Sequence, residues 1–232
     1  MLPEPRTGAF IAAGILVGVA LLIGAGGWPG TPPSPGPHPD CELIGGGLIA
    51  QPAAAWSSLV FLGVGVWIVG DRRFDAGLFA AGFAAVGLGS FLGHAAGTEW
   101  SRQLDSLAIK ALLLVFVGTA AARFFGWTTA RTAWTVLVAA AGTVALQLSW
   151  EALAEPLFVV LAVATTLAVL RTVPLVRLAP GLVLLAVGAA VWWLGRDGGP
   201  LCDADAILPL HAVWHILAAG GLAAVYRASR ST

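Results

Sequence analysis

The chain has 232 residues, 58% of them hydrophobic and only 10% charged, with a mean hydropathy of +0.88 and a formal net charge of zero. A soluble domain carries roughly 25% charged residues, so this chain cannot cover a water-facing surface, and a bilayer is the solvent that tolerates it. The neutral balance, with no basic run or low-complexity tail, offers nothing to a nucleic-acid partner.

Apolar runs long enough to span lie at about 9–26, 53–70, 75–95, 106–123, 131–150, 156–172, 178–194 and 207–226. An 18-residue run makes a helix of ~27 Å against a hydrocarbon core of ~30 Å. Backbone polar groups in lipid need internal partners, and the Ala, Leu and Gly content favours helices over alternating barrel strands. The 30 glycines suit close helix contacts. The first run reads as a retained helix or a signal sequence, over residues 1–30. Pro29 to Pro39 is Pro-rich and predicts an extended external linker within 31–52, with His38 in it as an ordinary linker residue. Residues 53–232 then hold seven spans. Asp71 to Arg73, Gly126 to Arg131, Glu151 to Pro156, Pro174 to Pro180 and Arg196 to Pro209 are expected breaks.

The cations orient the chain. With a cytoplasmic N-terminus, Arg6, Arg72, Arg73, Arg123, Arg131, Arg171, Arg177, Arg227 and Arg230 are inside and only Arg102 and Arg196 outside, which predicts a cytoplasmic C-terminus. Most tryptophans, among them Trp28, Trp56, Trp100, Trp127, Trp150 and Trp193, flank span ends as an interfacial belt does.

Ionisable groups inside a span cost roughly 2.5–3.5 kcal/mol each by insertion scales, so each is a functional hypothesis. His211 and His215 are spaced i, i+4 and share a helix face, which suits a metal ion, although capping or simple packing would also account for them. His94 ends the third run, with Ser90 one turn before it and Asp105 eleven residues after it. The orientation puts His94, Asp105, His211 and His215 at the same face. Three neutral imidazoles leave a fourth position for water, the open arrangement of a catalytic zinc site, and a nearby carboxylate can take a proton or orient a histidine. Three separately packed histidines are the alternative. Lys110 lies within a span and pairs with Asp105 or snorkels. Gln147, Glu151 and Glu155 lie near the outer end of the fifth span, lining a pocket or forming an interfacial loop.

At these residues the chain resembles the alkaline ceramidases of the CREST superfamily of seven-span hydrolases. Gly89-Ser90-Phe91-Leu92-Gly93-His94 with Gln103-Leu104-Asp105 resembles the family's Gly-Ser block, its histidine and its Leu-Asp pair. Leu210 to Leu217 resembles its H-A-x-W-H-I-L block, Asp40-Cys41-Glu42 its amino-terminal D-W-C-E, and Ile49 to Leu59, with Ser57 on the family serine, its first-span motif. The resemblance covers about 40–226 and implies an all-α, seven-transmembrane-helix bundle, with an extra N-terminal helix if the first run is retained. It implies zinc (Zn2+) on His94, His211 and His215, Asp105 as general base, Ser90 holding the water or the oxyanion, and a Cys41–Cys202 disulfide tying the linker over the site. The implied activity is amide hydrolysis of a ceramide-like lipid drawn from the bilayer, with the site near the external face; the short loops and lack of retention signals suit a plasma or inner membrane, and an endomembrane is equally compatible with the physics. The family's calcium (Ca2+) ligands are replaced by Pro39, Ile44 and Gln51, leaving Glu42, with Asp40 displaced by one position, which argues against a family-type calcium site. Another lipid hydrolase of the same superfamily, acting on an ester or a different N-acyl lipid, a receptor or transporter with structural zinc, and an ion conductor using Lys110 and Asp105 are the rival readings.

Overall fold

The computed structural model describes residues 5–31, 39–71, 73 and 75–230; His38, Arg72 and most of the Pro-rich linker lie outside the described residues. Among them are eight long α-helices and a single 3₁₀ turn, and no strand. The helices are α1 (Pro5–Ala25), α2 (Pro52–Val69), α3 (Ala76–Ala96), α4 (Glu99–Phe125), α5 (Thr129–Ser149), α6 (Ala154–Thr172), α7 (Leu175–Gly195) and α8 (Leu210–Ser229). Seven of them, α1 to α7, are long and apolar enough to cross a membrane, as in a multi-pass membrane protein. The eighth, α8, is as long at 20 residues but less apolar, because it carries His211, His215 and Arg227.

Two boundaries differ from the sequence expectation. Helix α4 begins at Glu99 rather than near 106, because its polar first turns are helical in spite of low hydropathy. Glu99 there pairs with Arg102 at 2.9 Å and Gln103 at 3.0 Å, three and four residues on. The break expected over Pro174 to Pro180 is present but shorter: only Val173 and Pro174 separate α6 from α7, which starts at Leu175 and carries Pro180 in its second turn. There the ring removes the intrahelical bond that residue 180 would make to residue 176, a local cost that the helix tolerates near its start.

Glycines set the helix contacts. Gly181, Gly188 and Gly195 recur every seven residues on α7. A Cβ at each would come within 2.8 Å of Gly221 O, 2.8 Å of Trp214 and 2.3 Å of Leu210, so α7 and α8 lie antiparallel at close range. Gly65 and Gly87 do the same between α2 and α3, and Gly82 and Gly89 between α3 and α4. Helix α8 packs on α2, α2 on α3 and α3 on α4; α5 and α6 lean on α4, and α1 on α2 and α3.

The bundle is closed at one end and looser at the other. Val169, Val173, Leu178, Val225 and Tyr226 belong to one buried core near the α6–α7 connection. Away from that connection α6 and α7 share no extended contact, and the buried side chains of α6, Thr165 and Val169, lie in its second half. Exposed Val160, Val163 and Leu167 on α6 and Val183 and Val187 on α7 suit a lipid surround.

The closed end also carries an ionic cluster. Arg123 meets Asp75 at 2.7 Å and Ser229 O at 2.6 Å, while Arg230 and the Tyr226 hydroxyl each reach Asp71 at 2.7 Å. Burial raises the Asp71 pKa, but the Tyr226 hydroxyl, the Arg73 backbone N–H and the Arg230 and Arg73 charges outweigh it, and the carboxyl is held below its ordinary value.

Candidate metal centre

The site forms at the looser end, where α3 stops, α4 starts and α8 begins. Helix α3 ends at Gly97, whose φ of 62° reverses the chain and whose N–H bonds to Gly93 O. With only Gly97 and Thr98 between the helices, α4 returns beside α3 and brings Asp105 against Gly93. A Cβ on Gly93 would lie 2.9 Å from Asp105 Cβ, so a residue without a side chain is needed there. The last carbonyls of α3, which have no partner within the helix, are taken by the next segment. Ala50 N–H bonds to Ala95 O and Gln51 N–H to His94 O, at 2.9 and 3.0 Å.

His94 from α3 and His211 and His215 from α8 converge, with one ligand atom of each lying within 4.8 Å of the others. All three are buried. Each Nδ1 has an acceptor on the far side of its ring. Gln51 Oε1 lies 2.9 Å from His94 Nδ1, Ser57 Oγ 2.9 Å from His215 Nδ1, and Asp40 Oδ1 3.2 Å from His211 Nδ1. The Asp40 contact is an ion-pair distance rather than an aligned hydrogen bond. The Ser57 hydroxyl donates to Ala54 O at 3.0 Å, so its lone pair receives the His215 proton. The Gln51 amide likewise turns its nitrogen to Glu42 O and its oxygen to His94.

These contacts favour the Nδ1–H tautomer and leave the Nε2 lone pairs to the interior. His94 Nε2 and His211 Nε2 face each other at 3.2 Å. Two lone pairs at that distance repel unless a cation or a proton lies between them, so the donor set fits a metal ion. Three neutral imidazoles suit a first-row ion such as zinc, copper, iron or nickel.

Asp105 and Ser90 stand beside this group. Ser90 is buried and close enough to the Asp105 carboxylate to favour its charged form, and Asp105 Oδ1 is sealed from solvent with no hydrogen-bond partner among the described residues. A buried acceptor in that state calls for a donor, a role that a water or a substrate group would fill.

The cysteines are joined: Cys41 and Cys202 form a disulfide with Cα atoms 5.6 Å apart. Glu42 acts as a helix cap, its two carboxylate oxygens receiving Ala53 and Ala54 N–H at 2.8 and 3.0 Å at the start of α2. Lys110 does not snorkel. It is 1% exposed and donates to Ser106 Oγ at 2.5 Å and Gln147 Oε1 at 2.7 Å. Glu151 and Glu155 line a separate polar cleft of about 380 Å³ with Glu99 and Arg102, whereas Gln147 holds Lys110 and bonds Gln103.

The roles of Asp40, Gln51 and Ser57 as imidazole partners were not evident in the sequence. The only available signal was general, that metal-binding histidines carry a polar partner. Compared with protein-family models and with curated proteins, the chain matches none.

Proposed function

We propose that this protein is a zinc-dependent hydrolase of lipid amides working inside the membrane, of the alkaline ceramidase type within the CREST superfamily. The observation that carries the reading is the convergence of three imidazoles, one ring nitrogen of each within 4.8 Å of the others, beside a buried carboxylate oxygen with no hydrogen-bond partner among the described residues. A purely structural metal site has no use for the Ser90–Asp105 pair.

When bound, zinc polarises a carbonyl and lowers the pKa of its water toward ~7. The side chains do the rest. Asp105 Oδ1 is the acceptor for the proton that water loses as it adds to the amide carbon. Ser90, on α3 beside Asp105, supplies a hydroxyl to the carboxylate or to the developing oxyanion. The C–N bond then breaks, the proton passes from Asp105 to the leaving nitrogen, and the products are a fatty acid and a lipid amine. Helices α6 and α7 separate toward the site end, which gives an acyl chain a lateral path from the bilayer. The cation distribution supports a site at the external face and a cytoplasmic C-terminus, and the short loops suit a plasma or inner membrane.

The test is release of fatty acid from a panel of N-acyl and O-acyl lipids by the purified protein, with metal analysis on the same sample. Cleavage of an N-acyl sphingoid lipid, one zinc per chain, and loss of activity in folded His215→Ala and Asp105→Asn variants support the reading. Cleavage of esters alone shifts it to another lipid hydrolase. Bound zinc with no cleavage of any lipid sinks it in favour of a receptor or transporter with structural metal.

A further inference from the structure

All three outer imidazole nitrogens are held by one stretch of chain, residues 40–57, which meets α8 only through tertiary contact. Gln51 and Ser57 sit at the start of α2 and move with it. Asp40 does not, because it precedes the helix by a dozen residues in an irregular segment. Three fixed points surround it instead. Pro39 O receives Asp197 N–H at 2.9 Å. Cys41 is bonded to Cys202. Glu42 clamps the first turn of α2. Cys41 also has a φ of 60°, the one positive value among the described non-glycine residues. An L-residue holds that conformation only where its surroundings pin it, and the disulfide is the covalent pin.

We propose that Asp40 is a positioning residue for His211, and that the Cys41–Cys202 disulfide sets the metal affinity of the three-histidine centre by holding Asp40 in place. The inference rests on the metal-centre reading. Asp40 acts through His211: its carboxylate 3.2 Å from Nδ1 favours the proton there and leaves Nε2 as the donor atom. Opening the disulfide frees the chain between Pro39 and Glu42 to leave the positive-φ conformation and withdraws Asp40 from the ring. Metal retention then depends on the redox state of two cysteines that are not themselves ligands.

The experiment is zinc affinity of the full-length purified protein, measured by competition with a chromophoric chelator. Reduction uses a trialkylphosphine and water, in which the S–S bond breaks, two thiols form and the phosphine becomes its oxide. Replacing a partner of this kind typically costs 10–100-fold in metal affinity. Asp40→Ala is expected to bind zinc about 10–100-fold more weakly than the oxidised wild type, on the same principle, and Asp40→Asn, which keeps an acceptor oxygen, to lie between them. Reduction is expected to weaken the wild type by a similar factor and to change Asp40→Ala little, since its partner is already gone. Wild-type affinity in Asp40→Ala overturns the proposal, as does an equal loss on reduction in both proteins. Should Asp40→Ala fail to fold by helical circular dichroism, Asp40→Asn replaces it in the same comparison. If oxidised wild type binds no zinc, the metal-centre reading itself has failed and this inference with it, an outcome distinct from the two above.

Discussion

Gly93 and Gly89 offer a matched pair of perturbations at the α3–α4 interface. A Cβ on Gly93 would lie 2.9 Å from Asp105 Cβ, and a Cβ on Gly89 would lie 2.9 Å from Ala108 Cβ. Both clashes are against atoms that cannot swing aside, so Gly93→Ala and Gly89→Ala each push α4 off α3 by a few tenths of an ångström. Overpacking of this kind costs about 1–3 kcal/mol, and the two variants should lose similar thermal stability. Their effects on catalysis should differ. Gly93→Ala displaces the carboxylate of Asp105 and disturbs its contact with Ser90, whereas Gly89→Ala strikes one turn away. A misplacement of 1 Å costs about 10²-fold in rate, so a shift of a few tenths should cost Gly93→Ala up to about 10-fold in kcat, and Gly89→Ala, whose added Cβ meets Asp105 only at an ordinary 3.7 Å from its Cα, clearly less. The assay is fatty-acid release at a temperature where both variants are folded, with zinc content measured in parallel. Equal activity in the two variants, at equal zinc content, would refute the assignment of Asp105 to the reaction.

Three further outcomes follow from the contacts. Ser57→Ala removes the acceptor of His215 Nδ1 at 2.9 Å and is expected to weaken zinc binding about 10–100-fold in a chelator competition, with helix content unchanged. Lys110→Met keeps the bulk of the side chain but orphans Gln147 Oε1; it should cost about 1–3 kcal/mol in a denaturation series, and unchanged stability would show that Lys110 is not held by that bond. Because Asp71 is held below its ordinary value of 3.8 in the fold, its contribution is complete above that value and is lost as pH falls through the lower folded value. Melting curves of wild type and Asp71→Asn should therefore converge only below pH 3.8, and convergence at higher pH would contradict the assignment.

Hydropathy alone marked the spans, because a bilayer demands long uninterrupted apolar runs and the backbone must satisfy itself within them. It failed where that demand relaxes. The first turns of α4 are polar, so the apolar run starts seven residues after the helix does, and α7 continues through Pro180 at the cost of one intrahelical hydrogen bond. The metal ligands were legible for a local reason: His211 and His215 are one turn apart, and His94 and Asp105 flank a turn of two residues that folds α4 straight back. The Cys41–Cys202 pairing came from resemblance to a family, and the bond is present. Which acceptor holds which imidazole was not legible. Asp40, Gln51 and Ser57 meet His211, His94 and His215 across sequence separations of 43 to more than 150 residues. Those pairings depend on how α2, α3 and α8 are rotated about their axes, and the glycine contacts of the folded bundle decide that rotation. The same holds for the gap between α6 and α7. Adjacent helices joined by a tight turn are free to pack, yet in the folded bundle α6 lies on α4 and α7 on α8 instead.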